Sequence, residues 1–206
     1  MEEESIRKGE ERVKFKLKRL VTHEEIHTSN WEPLAKALII SEELGAAPIC
    51  EITGQLFGNG AMIYQNTNDS ECNNEKDSII VSKSGRIAGT KYTASQFVKV
   101  TSFDKSTWTA TYDSSSPDHK PSSDTPLLWN ALLVAPKLYQ WDKKPKFVLH
   151  GHTCATEEEA KVLDLPCSSE ETLFSTPKDL DALMKLLKKF PYPTNQIFVR
   201  KNHGFF

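Results

Sequence analysis

Apolar residues follow a helical period in some segments of the chain and a strand period in the segments between them. The strongest helical segment is "STPKDLDALMKLLKKF" at 175–190. Thr176 can cap it, Pro177 suits its first turn, and leucine recurs every three or four residues. The runs "SIIVSKSGRIAG" and "FVKVTSFD" are instead short, apolar and bounded by turn residues, as strands are. The order of these segments predicts one α/β domain of mixed topology over residues 1–206.

Other elements are predicted from the same kinds of signal. They are a solvated helix over 3–20, a helix over 28–47 that ends at Gly45, a helix that begins near Asp124, a strand over 146–152 and a final strand over 195–206. Ser29 or Asn30 can cap the helix over 28–47. An exposed polar loop, "NTNDSECNNEKD" at 66–77, is predicted between the central strands.

The composition excludes several classes of function. Apolar residues make up 38% and charged residues 26% of the 206 positions, as in a folded soluble chain. The net charge of −2 gives no basic field for nucleic acid, and no apolar run is long enough to span a bilayer. The charged N-terminus lacks the apolar core of a signal peptide, so we expect a cytoplasmic protein with neither a membrane nor a nucleic acid as partner.

Two histidines close the strand "KFVLHGH". His150 and His152 lie two residues apart, so on a strand they point to the same face and could share one cation. Gly151 between them leaves the opposite face free for close packing. A catalytic zinc usually takes three protein ligands, and "RKNHGFF" supplies a third candidate, His203. Histidines that only form hydrogen bonds at a strand end remain an alternative that spacing alone does not exclude.

The remaining histidines and the cysteines give weaker signals. His23 and His27 are four residues apart in "HEEIH", a spacing that can bind metal on a helix, but a solvated helix end explains them better. Cys154 follows the histidine pair and is expected to be a packed small residue. The four cysteines have no Cys-x-x-Cys spacing and are expected to be free thiols; they are Cys50, Cys72, Cys154 and Cys167.

Five short motifs occur in an order that resembles the class II aldolase/adducin head family. They are Gly58-Asn59, Ser84-Gly85, the string "PSSDTP" at 121–126, His150-Gly151-His152, and His203-Gly204. Each motif is weak alone, and their ordered combination is the more specific signal. The resemblance implies a three-layer fold, with a central, largely antiparallel mixed β-sheet covered by helices on both faces.

The resemblance also implies a chemistry and a set of site residues. In this family zinc on three histidines polarises a sugar phosphate and stabilises an enediolate when a C–C bond breaks. Here the zinc ligands would be His150, His152 and His203. The substrate phosphate would be held by turn and cap groups, namely Asn59, Ser84, Gly85, Ser122 and Ser123. Such serines also serve as ordinary helix caps and turn residues.

Asp124 takes the position of the family's catalytic acid/base. It is typically Glu in the aldolases and Asp in the ribulose-phosphate 4-epimerase branch, so the resemblance implies a zinc-dependent aldolase or epimerase. Two alternatives stay open: a non-catalytic adducin-head-like interaction module, and a dehydratase of the family acting on a methylthio-pentulose phosphate. Members commonly form homotetramers, which is the expectation here. The family continues after the last His-Gly, so the usual C-terminal segment is expected to be absent.

Overall fold

One eight-stranded mixed β-sheet runs through the computed structural model, which describes residues 15–22, 26–65 and 77–206. The strands are β1 Lys16–Val21, β2 Gly58–Ile63, β3 Ile79–Ser82, β4 Phe97–Asp104, β5 Thr109–Ser114, β6 Phe147–Gly151, β7 Val199–Arg200 and β8 Gly204–Phe205. Their order across the sheet is β1-β5-β4-β3-β2-β6-β8-β7. Only β1 and β5 pair in parallel, so the prediction of a largely antiparallel mixed sheet is confirmed.

Helices alternate with groups of strands along the described part of the chain. They are α1 Glu32–Glu43, α2 Thr125–Trp129, α3 Ala135–Leu138, α4 Glu157–Val162 and α5 Pro177–Lys189. A π-helical turn, Asn130–Val134, joins α2 to α3. Pro136 follows this turn, and the wider turn accommodates a residue that has no N–H to donate. In the described part of the chain, no helix has the length and hydrophobicity to cross a membrane.

Two apolar clusters are buried against the sheet. In one, α1 packs Leu34 and Leu38 against Met62, Ile80 and Phe97. The other, larger cluster joins α2, the π-helical turn and α5 to alternate residues of the central strands, including Ile79, Val81, Val98 and Val100. Alternate strand residues therefore supply different clusters, as the period of two in a strand requires. The three-layer arrangement stays a prediction. The single domain over 1–206 also stays a prediction, and residues 1–14 lie outside the described part.

Helix α5 matches its sequence signal closely. Thr176 caps it and accepts a hydrogen bond from the Asp179 N–H. Leu180, Leu183 and Leu187 are buried, and Met184 packs at the edge of the same cluster. For α1 the signal is only partly right.

Helix α1 covers Glu32–Glu43, so it is shorter than the predicted 28–47, and the expected cap does not form. The Asn30 side chain bonds the backbone of Gln65 instead, so it stabilises a contact with a distant loop. The spacing of apolar residues predicts that Leu34, Leu38, Ile39 and Leu44 share one face, but only Leu34 and Leu38 of these four are buried.

Two other predictions are wrong at the chain's ends. Residues 16–21 form strand β1 rather than part of a helix, because pairing with β5 overrides a weak local signal; residues 3–14 lie outside the described part. The final segment is a hairpin rather than one strand. Asn202 and Gly204 adopt positive φ angles, which turn the chain back between β7 and β8.

Candidate metal centre

Four elements meet at the predicted histidine pair. Strand β6 carries His150 at its end and His152 just beyond it, while Asp124 immediately precedes α2. His203 lies in the turn between β7 and β8. Strand β6 is held between β2, where His150 faces Asn59, and β8. The sheet order therefore brings the third predicted ligand beside the first two, although it lies about fifty residues further along the chain.

Glycines allow β6 and the hairpin to approach this closely. A Cβ on Gly151 would lie 2.1 Å from the Ala46 carbonyl oxygen and 2.6 Å from the Phe205 ring. A Cβ on Gly204 would lie 2.0 Å from the Gly151 carbonyl oxygen. Both distances are too short for any side chain, so the glycine within His-Gly-His and the glycine after His203 each permit a backbone contact. The close packing expected at Gly151 is confirmed.

Asp124 and the three histidines form one group, which we call the cluster. One ligand atom from each residue lies within 4.8 Å of the other three. Asp124 lies 3.8 Å from His150 Nε2 and 3.7 Å from His203 Nε2. His152 completes the group, with its ring centroid 4.8 Å from that of His150 and 5.3 Å from that of His203. The structure thus brings together the three predicted metal ligands and the predicted acid/base residue.

The far sides of two rings face oxygen atoms. His150 Nδ1 forms a hydrogen bond of 2.7 Å with the Phe205 carbonyl oxygen, and His203 Nδ1 makes an ion-pair contact of 3.0 Å with Asp179 Oδ2. A carbonyl oxygen can only accept, so His150 carries its proton on Nδ1 and presents a lone pair at Nε2, and a carboxylate beside His203 Nδ1 favours the same tautomer there. Both Nε2 atoms are buried without a hydrogen-bond partner among the described residues. Two unpartnered acceptors beside a carboxylate suit a divalent cation.

The electrostatics of the cluster keep its donors ready for a cation. Burial lowers the pKa of His150 to about 3, helped by the neighbouring His203, so its imidazole is neutral at physiological pH. Burial also lowers the pKa of His152. Burial raises the pKa of Asp124, but its interactions with His150 and His203 and the hydrogen bonds from Ser175 and Asn59 outweigh burial and hold that pKa at about 2. Imidazole nitrogens beside one ionised carboxylate are a typical zinc donor set.

Two side chains orient the Asp124 carboxylate. Asn59 Nδ2 donates to Oδ2 at 2.6 Å, and Ser175 Oγ donates to Oδ1 at 2.5 Å. Asp124 therefore occupies the N-cap position of α2 without capping it, because its oxygens are committed to the cluster. Ser122 Oγ accepts from the Asp124 N–H, and Thr125 Oγ1 donates to the Ser122 carbonyl oxygen. The "PSSDTP" string thus builds a turn that directs one carboxylate at three histidines.

Aromatic rings enclose the imidazoles. The Phe206 ring stacks on His150 with centroids 4.2 Å apart, and the Phe57 ring stacks on His152 at 5.7 Å. Phe174 lies 5.7 Å from His203. These rings limit water around the cluster, which strengthens electrostatic interactions inside it.

A cleft of about 570 Å³ opens onto the cluster. It is lined by all five residues predicted to hold a phosphate: Asn59, Ser84, Gly85, Ser122 and Ser123. Their positions differ in kind. Asn59 and Ser122 are buried and bonded to Asp124, whereas Ser84, Gly85 and Ser123 are exposed. The structure brings these residues together in one cleft, and their role in holding a phosphate stays a prediction.

Lys83 also lines the cleft, where it lies beside Ser84 and Gly85. Strand β3 ends at Ser82, so Lys83 lies just beyond the strand and strand alternation does not decide its direction. We refer to Lys83, Ser84 and Gly85 as the turn group. It adds a cation to a set of predicted groups that were otherwise uncharged.

Sequence reasoning missed several side chains around the cluster. Ser175 bonds Asp124 and Asp179 forms an ion-pair contact with His203, while the Phe57 and Phe174 rings lie against His152 and His203. Asp179 falls three residues after the Thr176 cap, in the first turn of α5, where an acidic residue is ordinary. Nothing in the spacing of these residues predicts contact with His203.

The other histidines and the cysteines of the described residues lie outside the cluster. His27 is exposed and its ring bonds Ser29, in agreement with a solvated helix end. His23 and Cys72 lie outside the described residues. Cys50, Cys154 and Cys167 are free, as expected, and the cluster does not include Cys154.

Comparison with known proteins supports the fold. No protein-family model matches the chain, and no curated protein matches it significantly. Among solved structures, the N-terminal class II aldolase domain of a conserved protein from Thermoplasma acidophilum is similar, with a TM-score of 0.53 and 16% sequence identity. The match covers 89% of this chain and 85% of that one. The chain therefore has the fold of a class II aldolase domain, which confirms at the level of the fold the resemblance given by the five motifs.

Proposed function

We propose that this chain is a zinc-dependent enzyme of the aldolase or epimerase type, acting on a phosphorylated sugar or related compound through an enediolate. The observation that carries the proposal is the cluster itself. Three imidazoles and a carboxylate meet with their ligand atoms within 4.8 Å, and two buried Nε2 lone pairs have no hydrogen-bond partner among the described residues. A divalent cation would satisfy these groups, and zinc prefers this mixture of nitrogen and oxygen ligands.

In this proposal His150, His152 and His203 hold the cation. A bound zinc ion would act as a Lewis acid toward a carbonyl or hydroxyl oxygen of the substrate. Asp124 is an ionised carboxylate, since its pKa is held at about 2. It therefore enters the reaction as a proton acceptor or as a further ligand, and donates a proton only after it has received one.

The rest of the cleft supports a substrate with an anionic group. Backbone and hydroxyl groups of the turn group and of Ser123 are exposed to the cleft, and Lys83 supplies a positive charge. Turn N–H groups, hydroxyls and one cation are a common way to bind a phosphate. We propose that the phosphate lies against these groups while the reacting carbons lie near the cluster.

The alternatives are separated by chemistry rather than by fold. A dehydratase would use the same cluster, and its product would differ in mass by one water. A non-catalytic module would gain nothing from burying two unpartnered nitrogen acceptors, which costs about 1–3 kcal/mol each. The intact cluster therefore favours an enzyme over a module. A homotetramer and a cytoplasmic location remain parts of the proposal.

The decisive experiment measures the zinc content of the purified protein by inductively coupled plasma mass spectrometry. Wild type is expected to hold about one zinc per chain, and His150→Ala/His152→Ala is expected to hold almost none. His27→Ala is the matched control, because His27 is exposed and lies outside the cluster. Equal, negligible zinc in all three proteins would refute the proposal.

A second assay identifies the reaction. Wild type and the double variant are incubated with a panel of phosphorylated ketoses, and products are separated by mass. Cleavage gives two smaller products, epimerisation leaves the mass unchanged, and dehydration removes one water. Zinc binding without turnover of any phosphorylated compound in the panel would favour the interaction module.

A further inference from the structure

His150 and His203 are held by different kinds of partner. The ring of His150 bonds a backbone carbonyl, that of Phe205, which is fixed by pairing of β6 with β8. The ring of His203 faces a side chain, Asp179, on α5. His203 itself lies in a hairpin turn, where its N–H donates to the Arg200 carbonyl oxygen. The Phe174 and Phe206 rings contact the His203 ring, and Asp179 is the charged side chain at its Nδ1.

Asp179 is itself held by donors on every side. Its Oδ1 accepts from Arg200 Nε at 3.0 Å, from a terminal nitrogen of Arg200 at 2.9 Å, and from Thr172 Oγ1 at 3.1 Å. Its Oδ2 accepts from the Ser175 N–H at 3.0 Å and faces His203 Nδ1. Five contacts leave the carboxylate one orientation, so it presents a fixed acceptor to the imidazole.

The charges of this network cancel. The side chains of Asp179 and Arg200 are fully buried and form an ion pair. The pair adds no net charge beside the cluster. It therefore acts on His203 by orienting the imidazole ring rather than by changing the electrostatic potential at the cluster. An acceptor at Nδ1 keeps the proton there and leaves the Nε2 lone pair pointing at Asp124.

We propose that Asp179, fixed by Arg200, is a positioning residue that holds the proton of His203 on Nδ1 and so prepares Nε2 to bind a divalent cation. This inference rests on the proposed function and extends it to a residue outside the cluster. Partners of this kind are worth about 10-fold to 100-fold in metal affinity.

The test replaces the ion pair without leaving a buried charge. In Asp179→Asn/Arg200→Gln both charges are removed together, which limits the cost to folding. The matched control is Asp181→Asn/Lys105→Gln, an exposed ion pair with its aspartate on the same helix. Zinc affinity of the folded proteins is measured by competition with a chromophoric chelator. We expect about 10-fold to 100-fold weaker binding in the first variant and no change in the control.

Nitrogen NMR of the metal-free protein gives a second readout that a merely structural role would not move. In wild type His203 should carry its proton on Nδ1, and in the first variant a population protonated on Nε2 should appear. This measurement on wild type needs no variant to fold. A wild-type His203 protonated on Nε2, or an affinity within threefold of wild type in a folded first variant, would overturn the inference.

The two proposals fail in different ways. If wild type binds no zinc while His203 keeps its Nδ1 proton, the proposed metal function is lost, and the role of Asp179 toward a cation is lost with it. If wild type binds zinc and the first variant binds it equally well, only the positioning role is lost.

Discussion

The cluster and the turn group line the same cleft but are built in different ways. Asp124, His150 and His203 are buried, and each has a partner from a distant part of the chain. Ser84 and Gly85 are exposed and belong to the loop that follows β3. Changes at the cluster should therefore cost stability as well as chemistry, whereas changes in the turn group should alter binding alone.

The largest effect is expected when the support of His203 is broken on one side. Arg200→Met leaves the Asp179 carboxylate buried without its cation, which should cost about 3–5 kcal/mol of unfolding free energy. Urea denaturation measures the loss. The exposed pair of Lys185 and Glu170 provides the control, and Lys185→Met should leave the midpoint unchanged. Equal stability of Arg200→Met and wild type would show that the pair is dispensable.

A smaller loss is expected at the contact between β6 and the hairpin. Gly151→Ala places a methyl group 2.6 Å from the Phe205 ring of the hairpin and 2.1 Å from the Ala46 carbonyl oxygen, so the hairpin and the loop after α1 must move away from β6 at a cost of about 1–3 kcal/mol. Zinc content should fall with stability, because the same contact sets the distance between His150 and His203. Gly45→Ala is the control. Its added methyl group meets open space, so it measures the strain of a side chain at a positive φ without a clash.

The pH dependence of stability in the metal-free protein tests the cluster separately from the turn group. His150 and His152 have lowered pKa values in the folded protein and ordinary values, about 6.5, when unfolded. The unfolded chain therefore binds more protons below pH 6.5. Stability should be complete above that pH. As the pH drops toward 4, stability should fall by about 1.4 kcal/mol per pH unit for each of these histidines that only the unfolded chain protonates.

Variants test whether the cluster causes this slope of stability against pH. His150→Asn should flatten it, while His27→Asn should keep it, since His27 is exposed. Asp124 acts in the same direction, because its pKa is also lowered, but only below about pH 4. A slope unchanged in His150→Asn would mean that other groups dominate the titration.

The smallest effect is expected in the turn group. Lys83→Ala should weaken binding of inorganic phosphate by about fivefold, which corresponds to ~1 kcal/mol for a partly exposed charge. Unfolding free energy should stay the same, in contrast to the cluster variants. Lys91→Ala is the control, because Lys91 is exposed and does not line the cleft. Titration calorimetry reports the binding, and equal affinities of the two variants would remove Lys83 from the site.

Local patterns predicted what depends on local chemistry. The cap and apolar stripe of α5, the strand that carries His150, and the turn that places Asp124 all follow from neighbouring residues. The predicted pairing of His150 with His152 needed only the period of a strand. The order of the five motifs then supplied the fold and the third histidine.

What the sequence could not predict depends on contacts between distant segments. The bond of Asp179 to His203 joins a helix to a hairpin, and the bond of Ser175 to Asp124 joins two loops. Strand β1 forms because β5 is available beside it, and its own residues favour no strand strongly. The final hairpin was missed because two positive φ angles, at Asn202 and Gly204, reverse a segment that is otherwise strand-like.

The placement of β6 between β2 and β8 also sets when the cluster can form during folding. His150 faces Asn59 across one strand pair and approaches His203 across the other, so its partners come from widely separated parts of the chain. Each pairing first requires closure of a long loop, and the entropic cost of closure arises before the stabilising contacts form. These pairings are therefore slow. In a refolding experiment, the complete set of zinc ligands should therefore appear after most of the sheet has formed. The rate of metal uptake would then report the rate of the last step of folding.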